Sequence, residues 1–305
     1  MHDLALSTMW GIGRFPSLGE FFPAADALGF ACFELNHAVD SAMLDGLNLN
    51  GYRIVSLHEP CPADVSTATL RERNWLISAP DEANRQQGVA AIQRSIDLAG
   101  ALGAQVVIVH PGKVDIDYRL DLAVGKLYRE GKAETPEYVA AKERLMAARA
   151  AQAEVNLSAV RRSVRELAEY AGRRGLKLGL ENRYHYYEIP LPDELDSLLS
   201  LGDDEVIGYW YDVGHAQTLD RLGFCPHEEW LRRFASRMIG VHLHDAVGIG
   251  DHRPAGSGQV DWGLVARYLP PGVLRTCEFQ NDNSPQAVAE GVQWLVKTGC
   301  VGPAR

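Results

Sequence analysis

Leu176-Lys-Leu-Gly-Leu-Glu-Asn-Arg183 decides how the rest of the chain reads. Leucines at 176, 178 and 180 alternate with Lys177 and Gly179, the period-two signature of a strand. The run stops abruptly at Glu181, so a carboxylate stands at the strand's C-terminal end, where parallel α/β folds place their chemistry. The pattern returns in Tyr209-Trp-Tyr-Asp212, Ile239-Gly-Val-His242 and Arg275-Thr-Cys-Glu278. Glu181, Asp212, His242 and Glu278 therefore form a candidate metal-ligand set. Carboxylates with an imidazole suit Mn²⁺, Zn²⁺, Co²⁺ or Fe²⁺.

Upstream of that stretch, four further strands are expected: Leu4–Ser7, Gly29–Glu34, Tyr52–His58 and Gln105–His110. Helical patterns separate them, one around Leu18–Leu28 and another with Val89, Ile92, Ile96 and Ala99 on one face. Eight strands alternating with helices predict a single (β/α)8 barrel spanning 1–305 rather than an open sheet. The interval between His110 and Glu181 is too long for one βα unit, and residues 115–153 are expected to be a helical insertion after strand 4. Thr135-Pro136-Glu137 supplies an N-cap and a first-turn proline for a helix, and Gly175 supplies a stop near Arg174. The insertion is expected beside or over the barrel mouth, followed by the regular fourth helix.

A formal net charge of −10 disfavours a protein built to coat nucleic acid. The five cysteines are scattered without a C-x-x-C pair, which fits reduced thiols and a cytoplasmic location. No basic and apolar leader opens the chain, and no apolar run approaches the roughly 18 residues that span a bilayer.

Histidines concentrate at the same end of the predicted barrel. His58 and His110 close strands three and four, and His215 follows Asp212 in Asp-Val-Gly-His. His244 lies two residues beyond His242, and His252 sits in the next loop. His58, His110, His215 and His252 are additional candidates for metal or substrate, whereas His2, His37 and His227 read as ordinary surface or core residues. Cys61 between prolines reads as structural, and Gly11-Ile-Gly13 lacks the rest of a dinucleotide fingerprint. Tyr184, His185, Tyr186 and Tyr187 either stack on a sugar ring or pack against the insertion.

Glu-Asn-Arg after strand five, Asp-x-Gly-His after strand six, His-x-x-Asp with the tail Pro254–Trp262 after strand seven, and Glu after strand eight resemble the xylose isomerase-like TIM barrels. The resemblance implies a sugar or sugar-phosphate isomerase or epimerase using a divalent metal, zinc or manganese. It implies one ion held by Glu181, Asp212, His242 and Glu278, with two or three as alternatives. Glu181 and Glu278 would be the catalytic pair, moving a proton through an enediolate. Arg183, His244 and Arg253 would contact substrate, and barrels of this kind often pair as homo-oligomers. The superfamily also holds the three-zinc endonuclease IV, whose extra ligands match His58, His110, His215 and His252. That branch implies phosphodiester hydrolysis on nucleic acid, but its loop aspartate matches Gly250, with Asp251 one place off. A barrel that binds metal without catalysis is the third alternative.

Overall fold

The computed structural model describes residues 4–302, and His2 lies outside them. Eight parallel strands close into a barrel: β1 (Ala5–Ser7), β2 (Cys32–Leu35), β3 (Arg53–His58), β4 (Val106–Val109), β5 (Lys177–Glu181), β6 (Ile207–Asp212), β7 (Met238–Leu243) and β10 (Leu274–Cys277). β1 pairs with both β2 and β10, which seals the cylinder and leaves it no free edge. Between β7 and β10 the chain forms an antiparallel hairpin, β8 (Asp245–Val247) and β9 (Gly250–Arg253). That segment reads as loop in the sequence because its polar residues lack an alternating apolar face.

The alternation in β5 sorts its side chains. Leu178 and Leu180 join the large core between the strands and the surrounding helices. Gly179 and Glu181, of opposite parity, project into the barrel. Trp210 fills the interior with Val106 and Ile108 and forms the floor beneath the polar end. Its size dictates its neighbours: a Cβ at Gly240 would lie 2.0 Å from Trp210 Cζ3, and one at Gly179 would lie 3.0 Å from Cε3.

The expected insertion is helical but is not a separate piece followed by a new helix. One continuous helix runs from Pro136 to Gly172, and a shorter one covers Arg119–Arg129. Thr135 caps the long helix through a bond from the Tyr138 backbone N–H. No glycine or proline interrupts positions 137–171, so nothing in the sequence stops the helix at residue 153. Its first half packs with the Arg119–Arg129 helix in a small second core of Val124, Leu127, Tyr138, Leu145, Tyr187 and Ile249. Ile249 belongs to the β8–β9 turn, so this core ties the insertion to the rim of the barrel. Arg149 bolts it further, with bonds of 2.7 Å to both carboxylate oxygens of Glu194. No helix among the described residues is long and apolar enough to cross a membrane.

Candidate metal centre and active site

β5, β6, β7 and β10 deliver Glu181, Asp212, His242 and Glu278 to one point at the C-terminal end of the barrel. All four are at most 2% exposed. Their ligand-type atoms lie within 4.8 Å of one another. His242 Nδ1 is 2.9 Å from Glu181 Oε1, 3.2 Å from Glu278 Oε2 and 3.4 Å from Asp212 Oδ2. A single ring N–H serves one of these oxygens well, so three buried carboxylates converge on one proton. Such a donor set fits a divalent cation, which would supply the positive charge that burial demands. The protein's own charges strain to balance it. Burial alone would lower the His242 pKa, yet Glu278, Glu34, Asp212 and Glu181 outweigh it and hold the ring well above its ordinary range. Burial alone would raise Glu181, yet Arg183, His110 and His242 hold it well below the usual carboxylate range.

Four further ligand sets among the described residues overlap or flank this centre, two of them sharing at most one residue with it. The first is His58, His110 and Glu181. His58 Nδ1 bonds to the Glu59 carbonyl at 3.2 Å, which leaves Nε2 facing Glu181 Oε1 at 3.8 Å. His110 Nε2 is 2.8 Å from Glu181 Oε2 but is not aligned for a hydrogen bond, the relation of two ligands aimed at a common point. The second set is His215, Asp251 and His252. His215 Nδ1 bonds to the Asn182 carbonyl at 3.0 Å, turning Nε2 toward Asp251 Oδ2 at 3.7 Å. His252 Nδ1 lies 3.0 Å from Asp251 Oδ1, and His252 Nε2 lies 3.4 Å from Glu278 Oε2. Burial pushes Asp251 up, but His252, His215 and His244 bring it down to about 2. His252 adopts φ +57°, a left-handed conformation that a non-glycine residue pays to hold.

The family model for the xylose isomerase-like TIM barrel matches residues 22–298. The chain belongs to that family. An uncharacterized protein of Methanocaldococcus jannaschii, MJ1311, is 25% identical over 240 residues, covering 77% of this chain and 66% of the relative. The chain spans between about half and two thirds of the length of the curated relatives it matches. Among solved structures, a D-tagatose 3-epimerase-like protein superposes with TM-score 0.68 at 20% identity, covering 98% of this chain and 97% of the other. The IOLI protein with a binding zinc atom superposes with TM-score 0.63 at 13% identity, covering 98% and 96%. At these identities the likeness is one of fold.

Within this xylose isomerase-like barrel, several of the residues singled out in the sequence have protein partners that spacing does not show. Arg183 does not face open solvent. It is 7% exposed, bonds to Glu181 and lies 3.7 Å from Glu188, which makes it a buried counter-charge. His244 has both nitrogens engaged: Nε2 on Asp212 Oδ2 at 3.0 Å, and Nδ1 accepting the His252 backbone N–H at 3.0 Å. Both contacts are to protein groups at the same end of the barrel. Arg253 pairs with Asp282 at 3.1 Å on the exposed rim. Asp251, one place off in the alignment with the nuclease, reaches its histidines because the β8–β9 hairpin turns it inward. His37 packs beside His58 with ring centroids 5.1 Å apart, so it borders the site. Burial and His58 drive its pKa down to about 3. The cluster packs partly on the insertion, with Tyr187 in its small core and His185 bonded to Asp121 at 2.6 Å, and partly elsewhere, with Tyr186 stacked on Phe224 at 4.1 Å.

Glu34 went unnoticed in the sequence, and Asn182 and Asp245 stood there in motifs without an assigned role. Glu34 at the end of β2 holds His242 Nε2 at 3.0 Å. Asn182 accepts the Asp212 backbone N–H at 2.8 Å and the Tyr209 hydroxyl at 2.8 Å, locking the β5 and β6 ends together. Asp245 accepts from Gly256 N, Val260 N and Trp262 Nε1, at 2.8 to 3.0 Å. That fixes the loop 254–262 around it, and the backbone passes so close that a Cβ at Gly258 would lie 2.3 Å from the Ala246 oxygen.

Proposed function

We propose that this chain is a divalent-metal-dependent isomerase or epimerase acting on a sugar or sugar phosphate. The observation that carries the reading is the convergence of Glu181, Asp212 and Glu278 on His242 Nδ1, all four buried at the C-terminal end of the barrel. Those residues would hold the ion, which when bound supplies Lewis acidity toward a hydroxyl and the neighbouring carbonyl of a ketose. The fold likeness to a D-tagatose 3-epimerase-like protein supports a sugar as substrate.

Glu181 and Glu278 arise from strands three places apart around the ring, so they approach a ligand from different sides. One carboxylate removes the carbon-bound proton beside the carbonyl, and the other, after taking up a proton from water, returns it to the opposite face. Exchange with water then resets the pair. Arg183 holds Glu181 in place, His244 holds Asp212, and Asn182 fixes the turn that presents both. Next to His252, a mouth cavity of about 320 Å³ bordered by Met9, Asn36 and His37 has room for a monosaccharide.

The flanking ligand sets favour a second reading, a multi-ion phosphodiester hydrolase of the endonuclease IV kind. The net charge of −10 counts against a nucleic-acid substrate. Incubating the metal-supplemented protein with a ketose panel in D₂O, followed by NMR, tests the first reading. Epimer formation with deuterium at one carbon is expected. Incision of abasic duplex, with no exchange on any ketose, would replace it with the second.

A further inference from the structure

Glu34 is fully buried at the end of β2, on a strand that contributes none of the converging ligands. Burying a carboxylate away from the site it serves costs free energy unless its oxygens are satisfied. Here both are. Oε1 lies 3.0 Å and Oε2 3.2 Å from His242 Nε2, and Oε2 also accepts the Ser56 hydroxyl at 2.8 Å. The contact spans the barrel from β2 to β7, joining residues 208 apart in sequence. It is made on the far side of the imidazole from Nδ1, the nitrogen that faces Glu181, Asp212 and Glu278.

The remaining surfaces of the ring are also held. Trp210 meets it nearly edge-on at 5.2 Å between centroids, and His58 lies parallel to it at 5.7 Å. Neither of these rings distinguishes one imidazole nitrogen from the other. Carboxylates face both nitrogens, but those at Nδ1 are the candidate ligands, so Glu34 is the acceptor that keeps a proton on Nε2 when an ion takes the place of the Nδ1 proton.

We propose that Glu34 is the positioning residue of the metal centre, fixing His242 in its Nε2–H form so that the Nδ1 lone pair points at the convergence of the three carboxylates. A carboxylate behind a ligating histidine also raises the ring's basicity, and its loss weakens metal affinity by roughly 10–100-fold. Ser56 holds Glu34 in turn, so the relay reads Ser56 to Glu34 to His242. This inference rests on the metal-centre reading above and adds a residue that touches neither the ion nor the substrate.

The test measures Zn²⁺ and Mn²⁺ dissociation constants by chelator competition for the wild type, Glu34→Gln and Glu34→Ala. Glu34→Gln keeps the shape and a hydrogen bond to the ring while losing the charge. It is expected to weaken binding by roughly 10-fold, and Glu34→Ala by up to about 100-fold. In ¹⁵N spectra of the zinc-loaded protein, His242 should show a protonated Nε2 in the wild type and lose that uniform state in Glu34→Ala. A folded Glu34→Gln protein with affinity within about twofold of wild type and an unchanged His242 signal would overturn the proposal, leaving Glu34 as barrel filling. Failure of the wild type itself to bind either ion would instead overturn the metal centre, and this role with it.

Discussion

Glu278 shows how a single side chain acquires its chemistry. Burial would raise its pKa, but His242, His252 and His58 surround it and keep it anionic. It is an anionic carboxylate touching two histidines and an asparagine, with 2% exposure, so its geometry is fixed for the proton transfer proposed above. Glu278→Gln preserves its volume and removes its proton affinity. Turnover is expected to fall by at least about 100-fold while the circular dichroism spectrum stays unchanged. Unchanged turnover would remove the two-glutamate mechanism. At this scale the sequence displays the acidic strand ends because each follows an apolar run directly. It conceals Glu34, whose meaning depends on a histidine 208 positions away. It also conceals the fate of Arg183 and His244, since a side chain's partners across a barrel leave no mark in spacing.

Elements carry a different kind of information. The strands of the barrel lie within a few residues of the expected runs because their alternation is local, and the closed order follows from the number of βα units. The long helix Pro136–Gly172 is less legible in its limits, since an insertion boundary has no signal when the helix simply continues through it. The β8–β9 hairpin was hidden for the opposite reason: it is short and polar, and the insertion's small core holds its turn through Ile249. The glycines of β5 and β7 have a packing role that the structure makes plain. Gly240→Ala would force a methyl group to 2.0 Å from Trp210 in a floor with no slack. We expect a loss of roughly 1–3 kcal/mol and a Tm lower by roughly 2–5 °C, read by calorimetry. A melting temperature equal to wild type would show that Trp210 moves freely, contrary to a rigid floor beneath the candidate metal centre.

Taken as a whole, the molecule couples its stability to pH through buried neutral histidine as well as through the site. His227 bonds to the Tyr211 hydroxyl and to Gln217, and burial lowers its pKa to about 4, with Asp261 and Asp212 opposing. Its folded value lies below the ordinary 6.5, so the unfolded chain binds the proton first as pH falls. The stability is complete above about pH 6.5 and drains away toward pH 4, with roughly 2 kcal/mol lost between pH 7 and pH 5. Urea unfolding of His227→Gln at those two pH values should show a correspondingly smaller difference than wild type. Equal differences would assign the acid sensitivity to other groups. The central claim concerns the barrel's polar end, where residues from β5, β6, β7 and β10 meet around a space suited to a cation. Its most direct test is elemental analysis of the purified protein after loading with zinc or manganese. The account predicts at least one divalent ion per chain, lost when Glu181 and Asp212 are replaced by Gln and Asn; a wild-type chain that retains none would contradict it.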